Sequence, residues 1–176
     1  MATPPSLAWL AQTLAELHLP YAVIGAHAVN AWIEPRFTAD VDITIVLTAE
    51  TSRQLTAAFE RAGLAQTTAH GAGQPSGPDF VRFASPDRLL AVEFQAAKTG
   101  FQRELVQRAA SRADGLRVAT PEDLIILKLI ANRAKDRLDL LGLLQLPGID
   151  WPYVTRWARE WEVDSLLAEL RAQVAG

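Results

Sequence analysis

"IEPRFTADVDITIVL", residues 33–47, alternates polar and apolar residues from Arg36 to Ile45. Polar side chains occupy every second position from Arg36 to Thr44, and the positions between them are Phe, Ala, Val and Ile. Because successive side chains of a strand point to opposite faces, the pattern predicts a strand with one buried and one polar face, running to about Leu47. Asp40 and Asp42 then share the polar face, about 7 Å apart at Cα.

The pair of Asp40 and Asp42 has two interpretations. Two carboxylates on one strand face repel each other unless a cation or a donor lies between them, and a divalent metal ion would relieve this repulsion. An isolated D-x-D pattern more often belongs to a solvated strand face, here with Arg36 as a local counter-ion. The alternation alone therefore leaves both a metal site and a solvated face open.

Composition limits the classes of function. The chain has 176 residues, 49% of them hydrophobic, with a formal net charge of −3 and no cysteine. A chain of this length buries a core, and its charge gives no general attraction to nucleic acid or to an anionic membrane. The lack of cysteine excludes disulfides and thiolate chemistry, and leaves oxygen or imidazole as metal ligands. No basic region precedes a long apolar run near the N-terminus, so we expect a cytoplasmic protein.

The flanking segments indicate alternating strands and helices. "YAVIG", residues 21–25, predicts a short buried strand that ends at Gly25, and "AHAVNAW" predicts a short helix after it. Such a turn brings backbone N–H groups close to a phosphate, although a glycine there is also explained by a tight turn with positive φ. Further on, the pattern predicts a helix at 48–63 and a mobile loop at 66–79. Two paired strands follow at 80–97, and the chain is mostly helical from about residue 100.

Glu93 is a third acid with two interpretations. In "LLAVEFQAA" it shares a strand face with Ala91 and Gln95, while Val92 and Phe94 face the other way. A buried acid is costly unless it is paired or binds a metal ion. The alternative is an exposed strand glutamate that pairs with Arg82 on the preceding strand. The residues themselves leave both open.

Two blocks of the chain resemble a known family. "VIGAHAVNAWIEPRFTADVDI", residues 23–43, resembles the pattern of a glycine, a helix and Arg-x-Thr-x-Asp-x-Asp found in nucleotidyltransferases of the polymerase-beta superfamily, in particular the AbiEii-type nucleotidyltransferases often found in toxin–antitoxin pairs. "VATPEDLIILKLIANRAKDRLDLLGLL", residues 118–144, is similar to the helical segment of that family, with its lysine and its KDxxDL pattern. The resemblance implies an α/β fold: a mixed sheet with the acids on one face and flanking helices. The nucleotidyltransferase core would span 1–110, and a helical C-terminal part, 111–176, would pack on it.

The resemblance also implies a reaction. Asp40, Asp42 and Glu93 would bind Mg²⁺ or Mn²⁺ and catalyse transfer of a nucleoside monophosphate from a nucleoside triphosphate. The acceptor would be a hydroxyl of an RNA, such as a tRNA, or of a protein, and a cognate antitoxin or toxin would be a further partner. The expected nucleotide and phosphate contacts come from Gly25, Ala26, Arg36, Thr38 and Lys128.

Lys128 lies in the apolar helical segment "LIILKLI" and needs an anionic partner. With Asn132, Lys135 and Asp139 it forms a polar stripe at helical spacing. One alternative is that Lys128 extends to solvent while Lys135 pairs with Asp139. Together with the resemblance, the pattern favours a phosphate or partner contact for Lys128 and a structural role for Asp139.

Two positions depart from the family pattern. Ala26 stands where the family usually has glycine or serine, which removes a hydroxyl donor but leaves the backbone N–H. Glu93 replaces the more usual aspartate, so its carboxylate lies one methylene further out. Both departures favour an alternative function, a catalytically inactive nucleotidyltransferase-like domain that acts as a binding partner or antitoxin. The intact pair of Asp40 and Asp42 favours an active enzyme.

Overall fold

The chain forms two compact units. The computed structural model describes residues 6–71, 73–74, 77–87 and 90–175. The first unit combines residues up to His27 with Phe37–Ala119, and the second combines Ala28–Arg36 with the chain from Thr120 onward. The first unit carries the β-sheet, and the second is built from helices.

A mixed sheet organises the first unit. Its helices are α1 (Leu7–Glu16), the start of α2 (Gly25–Val29), α3 (Ala49–Arg61) and α4 (Gly100–Arg108), and its strands are β1 (Tyr21–Ile24), β2 (Asp40–Ile45), β3 (Ala65–His70), β4 (Phe80–Ala84), β5 (Ala91–Ala96), β6 (Ala110–Ser111) and β7 (Arg117–Val118). In the described part of the chain the sheet has seven strands in the order β3-β4-β5-β2-β1-β7-β6. Because β2 runs parallel to β5 and antiparallel to β1, the predicted mixed α/β architecture is confirmed.

One face of the central strands packs into the core of this unit. Val41 and Ile43 of β2 are fully buried, as is Phe94 of β5. Phe59 of α3 lies over this face, with its ring centroid 4.7 Å from that of Phe83 and 5.3 Å from that of Phe94. Aromatic pairs at such distances add to the free energy gained from burying their area. The apolar half of the predicted alternation is therefore the surface that holds α3 on the sheet.

Strand β2 begins later than the sequence predicted. Residues 35–39 have no regular structure, and the strand starts only at Asp40. The Asn30 side chain binds both backbone groups of Arg36: its amide donates to the carbonyl at 2.7 Å, and its carbonyl accepts from the N–H at 3.0 Å. Since a side chain satisfies these groups, and Pro35 has no N–H to donate, this segment does not join the sheet. Arg36 and Thr38 thus lie outside the strand that carries the aspartates.

The loop predicted at 66–79 is wrong over its first part. Residues 66–70 belong to β3, an edge strand that pairs antiparallel with β4. All side chains of β3 are at least partly exposed, so the strand lacks the apolar alternation that would have identified it. Residues 72, 75 and 76 of the predicted loop lie outside the described residues.

Four helices and a short preceding segment form the second unit. The helices are α5 (Pro121–Ala131), α6 (Ala134–Leu143), α7 (Trp151–Glu160) and α8 (Asp164–Ala175). Thr120 caps α5 by accepting from the N–H of Asp123, and Pro121 takes a first-turn position. The first of these helices ends at Asn132, which adopts a left-handed φ of 44°. Over the described ranges, no helix is long and apolar enough to cross a membrane.

Candidate active site

Three acids share one face of the first unit's sheet. In the parallel ladder, Asp42 of β2 lies directly opposite Glu93 of β5. Asp40, two positions before Asp42, points to the same face, and its side chain is 51% exposed, against 22% for Glu93. The Thr38 hydroxyl lies 3.4 Å from the backbone oxygen of Asp40. The structure therefore brings together the three acids that the sequence predicted as catalytic.

Gly25 joins β1 to α2 and lies against Asp42. Its φ is +63°, a left-handed conformation, and a β-carbon placed there would lie 2.1 Å from Oδ2 of Asp42. The antiparallel register sets Ile24 opposite Asp42, which fixes the position of this turn beside the carboxylate. Both the backbone conformation and the contact exclude a side chain at position 25. Half-buried Ala26 follows in α2, so the predicted phosphate turn adjoins the acid face.

Arg82 of β4 brings a positive charge to the acid face. Its Nη1 donates to Oε1 of Glu93 at 2.5 Å, and its Nη2 donates to Oδ1 of Asp40 at 3.3 Å. The pairing of Glu93 with Arg82, one of the two interpretations of the sequence, is confirmed. The contact with Asp40 was not predicted, because it requires the sheet order that places β2 beside β5. One guanidinium thus bridges two of the three acids.

An open depression of about 340 Å³ adjoins Asp40 and Arg82. The edge strand β3 contributes two threonines to its wall, and Thr68 lies opposite Arg82 in the β3–β4 ladder. The remaining lining residues come from β2, β4 and β5, and the full set is Asp40, Thr67, Thr68, Arg82, Ala84 and Ala91. The threonines were missed from the sequence because their strand was interpreted as a loop. A small depression with hydroxyl, carboxylate and guanidinium groups suits a polar ligand.

Arg36 and Lys128, both predicted phosphate ligands, meet at one carboxylate in the second unit. Arg36 binds Asp139 through two bonds, Nε to Oδ1 at 3.0 Å and Nη2 to Oδ2 at 2.9 Å. The Nζ of Lys128, whose side chain is only 5% exposed, donates to Oδ2 of Asp139 at 2.6 Å and to Oδ1 of Asp136 at 2.8 Å. The structural role predicted for Asp139 is confirmed. Phosphate contacts by Arg36 and Lys128 stay predictions.

Lys128, Asp136 and Asp139 are buried and, with the exposed Arg36 and Arg133, form what we call the buried ion cluster, which holds its acids ionised. Burial raises the pKa of Asp136, but hydrogen bonds from Arg133 and Lys128 outweigh it, and the pKa falls from 3.8 to about 2. Burial also raises the pKa of Asp139, but hydrogen bonds from Arg36 and Lys128 outweigh this effect and lower the pKa. The hydrogen bond to Asp139 raises the pKa of Arg36. Asp136 belongs to the KDxxDL pattern, but its pairing with Lys128 was not predicted, because the two residues lie on either side of the helix break at Asn132.

Solved structures share this architecture. No protein-family model matches the sequence, and no curated protein matches it. The lincosamide antibiotic adenylyltransferase LnuA with bound lincomycin has a TM-score of 0.58 and 12% identity, covering 79% of this chain and 94% of that chain. An antigenic nucleotidyltransferase-like protein from Paracoccidioides brasiliensis has a TM-score of 0.55 and 20% identity, covering 94% and 90%. JHP933 from Helicobacter pylori has a TM-score of 0.50 and 18% identity, covering 98% and 86%. The chain has a nucleotidyltransferase-like fold.

The nucleotidyltransferase-like fold confirms the predicted fold class. At identities of 12–20%, the likeness concerns the path of the backbone and does not extend to a subfamily. The narrower resemblance to AbiEii-type proteins stays a prediction.

The donor atoms on the acid face are of the kind that Mg²⁺ and Mn²⁺ prefer. Asp40, Asp42 and Glu93 offer carboxylate oxygens only, which suit a hard divalent cation. Within the described ranges, no group of three His, Cys, Asp or Glu side chains is arranged to hold a metal ion. The Arg82 guanidinium supplies positive charge to two of the three acids, Asp40 and Glu93. The donor atoms are therefore of a type that fits a hard divalent cation, and the charge of two of the three acids is compensated by Arg82.

Proposed function

We propose that the chain is a metal-dependent nucleotidyltransferase. The observation that carries the proposal is the position of Asp42, held between the Gly25 turn and Glu93, with Asp40 on the same face of a nucleotidyltransferase-like sheet. In the reaction, an acceptor hydroxyl oxygen attacks the α-phosphorus of a nucleoside triphosphate. The bond from that phosphorus to the β-phosphate oxygen breaks, and pyrophosphate leaves.

Each acid has a distinct part in this proposal. Asp40 and Asp42 would hold the Mg²⁺ or Mn²⁺ ion, which when bound neutralises charge on the triphosphate. Glu93 would be a further ligand that holds the ion near the attacking hydroxyl, or would accept the proton of that hydroxyl, for which its partly exposed position opposite Asp42 is suitable. Backbone N–H groups of Gly25 and Ala26, with Thr38, would contact the nucleotide, so catalysis would consist mainly of positioning and electrostatic stabilisation.

The depression beside Asp40 limits the size of the acceptor group that can enter the site. A volume of about 340 Å³ is in the range of a single nucleotide or a small polar molecule. LnuA, one of the similar structures, is a lincosamide antibiotic adenylyltransferase with bound lincomycin, and so favours a small molecule as one candidate acceptor here. The resemblance in sequence favours the terminal hydroxyl of an RNA, such as a tRNA, or a protein hydroxyl, with a cognate toxin or antitoxin as partner. In each case only one residue of the acceptor needs to enter the depression.

One observation favours the alternative, a non-catalytic nucleotidyltransferase-like domain. The Arg82 guanidinium forms ion pairs with both Asp40 and Glu93 and so compensates their negative charge. A domain that had lost catalysis would retain its acids stably in this form and serve as a binding partner or antitoxin.

The experiment that tests the proposal is label transfer. Each α-labelled nucleoside triphosphate is incubated with Mg²⁺ and with total RNA, total protein or a small-molecule extract. The proteins compared are the wild type, Asp40→Asn, Asp42→Asn and the exposed control Asp114→Asn. We expect label transfer by the wild type and the control, and a loss on the order of 100-fold or more in the two site variants.

The outcomes separate the two functions. No transfer by the wild type, with nucleotide binding retained in a parallel titration, would assign the non-catalytic function. Absence of both transfer and nucleotide binding would overturn the proposed site. Circular dichroism of each variant establishes that the loss does not come from unfolding.

A further inference from the structure

Arg82 occupies the acid face in a way that the proposed reaction does not use. Its guanidinium is shared between Glu93 and Asp40, and two of its nitrogen atoms point at two different carboxylates. These are the same oxygen donors that the proposed function assigns to a divalent cation. We propose that Arg82 and the divalent cation compete for Asp40 and Glu93, so that cation binding requires the guanidinium to leave. The inference rests on the proposed function.

Electrostatics and space both make the two occupants exclusive. Mg²⁺ binds carboxylate oxygens at about 2.0–2.1 Å and tolerates little deviation from octahedral geometry. With Arg82 Nη1 2.5 Å from Oε1 of Glu93 and Nη2 3.3 Å from Oδ1 of Asp40, both acids already direct an oxygen at the arginine. A divalent ion on the same acids would lie beside a positive guanidinium, and the two charges repel. Filling the site therefore removes the arginine from it.

The surroundings of Arg82 allow this movement. Its side chain is 37% exposed and forms part of the wall of the open depression with Thr67 and Thr68. The backbone of β4 is held on both sides, by β3 and by β5, so the side chain can turn into the depression without disturbing the sheet. When Arg82 loses its two contacts, the incoming cation compensates the negative charge of Asp40 and Glu93 in its place.

The exchange has a functional consequence. In the absence of the cation, Arg82 prevents repulsion among the carboxylates on one face. In its presence, the same acids are released for the nucleotide-bound ion. Arg82 thus sets the cation concentration at which the site fills, and the affinity of the acids for the cation is lower than three unpaired carboxylates would give.

The test measures Mn²⁺ binding by electron paramagnetic resonance, a readout independent of catalysis. The proteins are the wild type, Arg82→Gln, which removes the charge, and Arg82→Lys, which keeps it. Arg53→Gln is the matched control, because Arg53 pairs with Glu50 on the exposed surface of α3. We expect about three- to tenfold tighter Mn²⁺ binding in Arg82→Gln, and affinities within about twofold of the wild type in Arg82→Lys and Arg53→Gln. Adding Asp42→Asn to Arg82→Gln should abolish the tight binding.

A second readout uses the unsubstituted protein. The Nε–Hε signal of Arg82, assigned by its loss in Arg82→Lys, is followed by NMR during titration with Mg²⁺. We expect it to shift and saturate together with cation binding. This measurement tests the inference even where Arg82→Gln fails to fold.

The outcomes distinguish the inference from the proposed function. Equal or weaker Mn²⁺ binding in Arg82→Gln, with binding still abolished by Asp42→Asn in the wild-type background, would overturn the competition and leave the cation site in place. An Arg82 NMR signal that does not change when Mg²⁺ binds would also overturn the competition. Absence of binding in every protein would overturn both. Binding only after removal of Arg82 would support the competition and assign the non-catalytic function to the wild type.

Discussion

Asp40 and Asp42 stand two positions apart but have different surroundings. Asp40 is half exposed and contacts the end of the partly exposed Arg82 side chain, so its orientation can follow a ligand. Asp42 lies against the backbone turn at Gly25 and opposite Glu93, where there is no room for its carboxylate to move towards β1. The backbone therefore orients Asp42, while Asp40 is adjustable.

Replacing Gly25 with alanine tests this dependence. The change imposes a side chain on a left-handed backbone and a clash with Oδ2 of Asp42. Gly63→Ala is the matched control, because its φ of +84° imposes the same backbone strain in open space. We expect Gly25→Ala to lower the free energy of unfolding by about 1–3 kcal/mol more than Gly63→Ala does, measured by urea denaturation. Equal losses would show that the contact with Asp42 contributes nothing.

Short-range sequence patterns identified the acids of the site but could not predict contacts between residues far apart in the sequence. Asp40 and Asp42 could be placed on one strand face because alternation depends only on neighbouring residues, whereas Glu93 was grouped with them through the family resemblance. The bond from Arg82 to Asp40 joins residues 42 positions apart, and the bond from Arg36 to Asp139 spans 103 positions. Neither follows from any local pattern, so these two contacts could not be predicted from the sequence, whereas the pairing of Arg82 with Glu93 on the adjacent strand could be proposed.

Helices α5 and α6 are joined by the buried ion cluster rather than by apolar packing alone. Lys128 of α5 donates to both Asp136 and Asp139 of α6, and both acids are buried. Removing one partner from a buried pair leaves an uncompensated charge, which costs far more than the loss of a surface pair. The geometry of this helix pair therefore depends on the charge of three residues.

Lys128→Met is expected to destabilise the chain strongly. It leaves two buried carboxylates with less compensation, so we expect a loss of about 3–5 kcal/mol in the free energy of unfolding. Lys135→Met, on the exposed surface of α6, is the control and should stay within about 0.5 kcal/mol of the wild type. Both are compared by chemical denaturation. A fully stable Lys128→Met would instead support a role for Lys128 at a ligand.

The lowered pKa of Asp136 predicts a loss of stability in acid. A folded-state pKa of about 2, below the ordinary 3.8, means that the folded protein holds the ionised form more strongly than the unfolded chain does. This contribution is complete above pH ~4 and is lost as the pH falls towards ~2; it amounts to about 2 kcal/mol. In thermal unfolding at pH 2–6, Asp136→Asn should flatten this dependence, whereas exposed Glu60→Gln should not. An unchanged acid slope in Asp136→Asn would contradict the assignment.

Sheet elements were predictable where one of their faces is buried. The segments of β2, β4 and β5 show apolar alternation and were found, whereas the exposed edge strand β3 shows none and was interpreted as a loop. The early start predicted for β2 failed for another reason: its alternation continues through residues 36–39, but the Asn30 side chain takes the backbone groups of Arg36. Alternation describes faces and carries no information on which backbone groups remain available for the ladder.

Charge across the entire chain limits how a polyanionic acceptor is recognised. Lys and Arg number 17 and Asp and Glu 20, a net charge of −3, and three of the acids form the proposed site itself. General affinity for nucleic acid comes from many cationic contacts with phosphates. An RNA acceptor would therefore be selected by the fit of its terminal residue in the depression beside Asp40, and contribute little through the rest of its backbone.

This argument predicts weak binding to generic RNA. Basic proteins bind non-specific sites with dissociation constants of about 10⁻⁴–10⁻⁶ M at physiological salt, so we expect a dissociation constant above about 10⁻⁴ M here. Fluorescence anisotropy with a labelled random oligonucleotide measures it across a salt series, with a strongly basic protein as the positive control. Tight binding that weakens steeply with salt would show an extended cationic surface and move the acceptor towards a long RNA. Weak, salt-insensitive binding alongside measurable label transfer would instead place recognition in the depression, among Asp40, Arg82 and the threonines of β3.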